Sequence, residues 1–244
     1  MTSTLSTTSG TVSDAEGTDP EATTTTPPPR QGRPRWPIFG VVGAVAGFAA
    51  VGVSMSPMTE DDAAKGVGIV DDLHRGGYHA GFLLGLVSVA CLLVASSGWR
   101  RWAERTAPDD LAARTVGQGL AATATVNIIF FCLMGSMADY LPGGADHGWL
   151  SDQAVFTNFT LLDFGALLGW WGAAVSAVCV AALAFGRQRA LPRWMGIVSA
   201  VLLLPAAAFA IATGLPGFVG VVMPVWLVVI SLGMVFSRTA NTQP

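Results

Sequence analysis

Residues 78–97 read YHAGFLLGLVSVACLLVASS, and past His79 no side chain among them carries a charge. Small and large apolar residues follow one another without the alternation of a half-buried strand or the polar face of a water-soluble helix. Twenty residues rise about 30 Å as an α-helix, which matches the hydrocarbon thickness of a bilayer. No water is available there, so the backbone has to satisfy its own N–H and C=O groups, as a helix does. The stretch is expected to cross a membrane.

Outward from it, similar blocks recur. The six candidate spans are 37–54, 78–97, 115–137, 161–185, 194–213 and 217–236. Composition agrees: of 244 residues, 52% are hydrophobic and 12% are charged, and the mean hydropathy is +0.54. A soluble domain carries about 25% charged residues, so too few are present to cover a water-facing surface. The expected fold is an all-α membrane protein, a six-helix transmembrane bundle over 36–238. The short link GLPG, residues 214–217, makes the last two spans an antiparallel hairpin. Before the bundle, residues 1–35 are rich in Thr, Ser, Pro and Gly and read as a disordered tail; residues 239–244 form a second short tail.

Basic residues set the orientation. Of 13 Lys and Arg, 11 fall on the side that holds the amino terminus, and only Lys65 and Arg75 fall on the other. Positive charge concentrates on the cytoplasmic side of membrane proteins, which predicts both termini in the cytoplasm and residence in the inner, or plasma, membrane. Trp36, Trp99, Trp102 and Trp194 mark the inner boundary; Tyr78, Tyr140 and Trp149 mark the outer one. The same bias accounts for the Arg clusters without nucleic acid, and the bilayer, with its anionic headgroups, is the expected partner.

Inside the bundle, helices meet through small residues. Gly43 and Gly47, Gly81 and Gly85, and Gly165 and Gly169 supply such faces, which also suit a homo-oligomer or another membrane protein as partner. Asn127 lies near the middle of the third span with Thr123 and Gly119 on the same face. It reads either as interhelical glue, worth about 0.6 kcal/mol, or as a substrate contact. Pro205 and Pro224 interrupt the last two spans and free carbonyls that in transporters can line a site.

The acids decide among functions. No Asp, Glu, Lys, Arg or His lies in the interior of spans one, two, five or six, and His79 and Asp139 stand only at span ends. In the stretch FTNFTLLDFGALLGWWGAA, residues 156–174, Asp163 is the deepest acid. Thr160 and Asp163 have the spacing of a capping box, with the carboxylate on the positive end of a helix dipole at the outer interface. The competing reading is a functional acid. Asp163 with Asp139 could act on an apolar substrate in the manner of a membrane-bound terpene cyclase, with Trp170 and Trp171 stabilising cations. His74, His79 and His147 stand on the acidic outer side and are the candidate metal ligands, although their spacing matches no ligand motif. Cys91, Cys132 and Cys179 each lie in an apolar block and suggest no disulfide framework. No cofactor is expected.

ALPRWMGIVSAVLLL (190–204), LPGFVGVVMPVWLVVISLGMVF (215–236) and HRGGYHAGFLLGLVSVACLLVASSGWRRWAE (74–104) resemble the helix pattern of uncharacterised actinobacterial six-span membrane proteins grouped as domain-of-unknown-function families. The resemblance implies a six-helix fold and inner-membrane residence. It carries no catalytic residues. The leading expectation is an accessory or interaction role without an enzyme site. A carrier or channel for a small neutral or lipophilic compound, and the intramembrane acid catalyst, are the alternatives.

Overall fold

A computed structural model describes residues 35–55, 60–187 and 189–236, the side chains of 61–63, 163 and 164 excepted. The two tails lie outside the described residues, apart from Arg35. Six spans are long and apolar enough to cross a membrane, and no strand occurs among the described residues.

Helix α1, Pro37–Ser54, begins where its proline needs no N–H partner. A short helix α2, Glu60–Lys65, and a 3-10 helix, Gly66–Asp72, then follow; neither was expected. The exposed Lys65–Asp72 ion pair, at 2.8 Å, ties their ends together. Helix α3, Arg75–Thr106, and helix α4, Leu111–Tyr140, extend well past the apolar blocks that announced them. Once started, a helix gains one bond per residue, so polar ends continue it until a cap intervenes. Asp110 supplies that cap for α4, accepting from the N–H groups of Ala112 and Ala113 at 2.8 and 3.3 Å.

The fourth span is the main correction. It starts at Asp152, behind the N-cap Ser151 whose hydroxyl accepts from Ala154 N. Helix α5, Asp152–Leu168, therefore enters about nine residues before the predicted start. Thr160 is not a cap: its hydroxyl donates back to the Phe156 carbonyl at 2.9 Å, as that of Thr157 does to Gln153 at 2.8 Å. This back-bonding gives each hydroxyl an acceptor on its own helix. The regular hydrogen bonding is interrupted at Gly169 and Trp170, both still in the right-handed helical region, before helix α6, Trp171–Phe185.

Helix α7, Arg193–Thr213, ends on Gly214 in the left-handed conformation, at φ 71°, where glycine alone avoids a Cβ penalty. Helix α8, Phe218–Phe236, turns back along it, with the Phe209 and Phe218 rings 5.0 Å apart beside the turn. The hairpin is as expected.

Around the bundle, α3 packs on α1 and α4, α4 on α6, α6 on α7, and α8 closes the circle against α1, α5, α6 and α7. The glycine faces bring backbones together. A Cβ on Gly81 would lie 2.9 Å from the Ala50 carbonyl oxygen, and one on Gly43 3.3 Å from Leu92 Cγ. Such approach lets serines bond the neighbouring main chain: Ser88 Oγ to Gly43 O at 2.7 Å, Ser96 Oγ to Gly117 O at 2.7 Å and Ser176 Oγ to Val116 O at 2.9 Å. In lipid, packing and hydrogen bonds of this kind hold helices together. At one end Trp36 packs edge-on against Trp99, which packs on Trp102. At the other end Arg75 Nε donates to the Ala138 carbonyl at 2.9 Å, satisfying one of the last free acceptors of α4.

Candidate functional site

The interruption lies in the middle of its span. Asp152–Phe185 runs 34 residues, so its midpoint falls between Leu168 and Gly169. Asn127 is about 2 Å from the midpoint of α4 by helical rise. The two meet. A Cβ on Gly169 would fall inside Asn127 Oδ1, and one on Gly172 would lie 2.7 Å from Thr123 Oγ1. One turn further, a Cβ on Gly119 would lie 2.5 Å from the Gly172 carbonyl oxygen. Glycines at these places are required by close approach rather than by backbone angle.

Two more helices converge here. A Cβ on Gly47 of α1 would lie 2.8 Å from the Trp170 ring, and one on Gly220 of α8 would lie 2.6 Å from Leu167 Cα. Pro224, in α8, has no N–H for the Gly220 carbonyl.

Asn127 and Thr123 are fully buried, yet neither the amide nor the hydroxyl finds a hydrogen-bond partner. A buried polar group left so costs about 1–3 kcal/mol. Trp170, at the N-cap of α6, provides no side-chain cap, and the first N–H groups of a helix have no intrahelical acceptor of their own. Trp170 N instead reaches Leu167 O at 3.3 Å, a tightened last turn. The polar atoms left without a partner beside the break are those of the Asn127 and Thr123 side chains.

The other predicted residues separate. Trp170 is fully buried, whereas Trp171 turns outward and its Nε1 donates to the Pro216 carbonyl at 3.2 Å. The adjacent pair does not make one aromatic wall. Asp139 is exposed at the end of α4, and His74, His79 and His147 are all exposed. His147 Nδ1 lies 3.3 Å from the Tyr140 carbonyl oxygen. Among the described residues no group of three or more His, Cys, Asp or Glu is placed to hold a metal ion.

Asp163 is corrected in position. It is the twelfth residue of α5, about 8 Å along the axis from the midpoint of the span, and not in a first turn at the outer interface. The expected capping box of Thr160 and Asp163 falls with it. Its side chain lies outside the described residues. In the register of α5 it stands between Phe159 and Ala166, which together with Ser54, Tyr78, Met134 and Leu162 help to line a cavity of about 20 Å³. That space suits one water molecule.

The interruption itself was missed. Its signal was GWWG at 169–172, two glycines three residues apart inside a span, each unfavourable to a helix by about 1 kcal/mol relative to alanine. Comparison with protein-family models, with curated proteins and with solved structures finds no match.

Proposed function

We propose that this chain is a multi-pass plasma-membrane protein, with both termini in the cytoplasm, that carries a small uncharged compound across the bilayer. The single observation behind it is the interruption of the fourth span at Gly169–Trp170, opposite the buried and unpartnered Asn127 and Thr123. Broken spans at mid-membrane are how transporters present main-chain groups to a substrate while the rest of each helix satisfies itself. A purely structural bundle gains nothing from leaving an amide unpaired in lipid.

The two halves of the span are held unequally. Helix α6 packs far more extensively on α4 than α5 does, so α5 is the half free to swing about Gly169. Small movement of α5 would open the break towards the cavity beside Phe159 and Ala166. Arginines 100, 101, 105, 114, 187, 189 and 193 gather at one end of the helices, which supports the cytoplasmic placement of that end. The sequence resemblance to actinobacterial six-span proteins fits the same residence and assigns no activity.

The rival reading, an accessory protein without substrate, draws on the tightness of the packing at Gly119, Gly169 and Gly172. Reconstitution separates the two. Proteoliposomes containing the full chain should swell faster than protein-free vesicles when challenged with at least one member of a panel of small uncharged solutes. No acceleration for any solute would remove the carrier reading.

A further inference from the structure

We propose that the break between α5 and α6 is a binding site for a small uncharged amide or urea-like solute, held by Asn127, Thr123 and the main-chain groups of the interruption. This rests on the carrier reading and names its substrate class.

The chemistry follows from what is left unpaired. Asn127 Oδ1 and Nδ2 are both buried without partners, and Thr123 Oγ1 is buried without one beside them. A primary amide presents an acceptor next to a donor. Its complement presents a donor next to an acceptor at the same spacing, which a second carboxamide or a urea does. The hydroxyl of Thr123 can serve in either sense. Across from these side chains, α6 starts without a side-chain cap, and a helix start offers N–H donors. A solute with both a donor and an acceptor can meet the Asn127 amide and the start of α6 at once.

An ion fits less well. The start of α6 alone would suit an anion, but no cationic side chain is among the residues that meet at the break, and Asp163 stands six residues earlier on the same span. A cation would use the oxygens and leave Asn127 Nδ2 and the N–H groups of α6 facing like charge. Size is bounded as well. Gly119, Gly169 and Gly172 have no room for a methyl group in the closed arrangement, so the occupant has few heavy atoms and enters when α5 moves.

The test uses the purified full chain in proteoliposomes, with stopped-flow light scattering for acetamide, urea and glycerol and a fluorescent indicator for sodium. Wild type should pass acetamide and urea faster than glycerol or sodium. Asn127→Leu and Thr123→Val should each slow acetamide and urea by at least about tenfold, the scale of one lost hydrogen bond, whereas Thr123→Ser should retain the rate. Amide flux unchanged in Asn127→Leu and Thr123→Val would overturn the site and leave the carrier reading standing. So would wild type passing glycerol or sodium but neither amide nor urea. Wild type passing nothing above protein-free vesicles would overturn both. Thr123→Val is nearly isosteric and guards against a loss that reflects misfolding of the other variant.

Discussion

Replacing Asn127 by leucine should make the protein more stable, not less. The side chain is fully buried, and neither of its polar atoms has a partner. Removing a buried unsatisfied group recovers roughly 1–3 kcal/mol, while leucine keeps the branching at Cγ. Crowding against Gly169 works in the opposite direction and costs about 1 kcal/mol at the mild end of overpacking. The balance is a gain of about 0–2 kcal/mol, up to roughly thirtyfold in the folding equilibrium at 1.4 kcal/mol per decade. Equilibrium unfolding in mixed micelles with rising SDS, followed by the fluorescence of the eight tryptophans, measures it. Interhelical glue makes the opposite prediction, a loss of about 0.6 kcal/mol. A loss of that size or greater would show that the amide is bonded in the folded protein, and the case for an open site at the break would go with it. A stability gain accompanied by lost flux is the signature of a group kept for function.

Other outcomes follow from the packing. Gly119→Ala should cost about 1–3 kcal/mol, because its methyl meets the Gly172 carbonyl oxygen and main chain cannot step aside; Gly52→Ala, with nothing within 4 Å, should be neutral or stabilising by up to about 1 kcal/mol. The same micelle titration ranks the pair, and equal values would contradict the close approach of α4 to α6. Ser88→Ala should lose about 0.6 kcal/mol by removing the bond to Gly43 O, and a neutral result would discount that tie. In a background with Cys91, Cys132 and Cys179 replaced, cysteines at positions 101 and 147 should react with an impermeant maleimide from opposite faces of intact cells, only 147 from outside. Labelling of both from one face would reverse the topology.

Much of the fold was legible because the apolar runs are long. α1 matches its predicted bounds, and the GLPG hairpin closes as its glycine dictates. Hydropathy is blind to polar helix ends, however, and Thr157 and Thr160 look like loop residues until their hydroxyls are seen folded onto carbonyls one turn back. That error placed Asp163 in a first turn and so hid an acid well inside the span. The site was half legible. Asn127 and Thr123 announce themselves as polar residues on one face, but what stands opposite is a property of two helices in contact. Gly169 read as a packing glycine, which it is; that Leu167 meets Gly220 and Trp170 meets Gly47 beside it is a matter of other helices. Single-segment patterns do not contain such meetings.

The serine ties have a consequence for how this protein tolerates change. Each uses a hydroxyl on one helix and only a peptide oxygen on the next, so the accepting residue contributes nothing of its own identity. Val116 accepts from Ser176, and an isoleucine or alanine there would offer the same oxygen. Donor positions are therefore restricted to small hydroxyls, while acceptors drift unless, as at Gly43 and Gly117, the spacing itself forbids a side chain. Two copies of this architecture could share their stitching and very few letters.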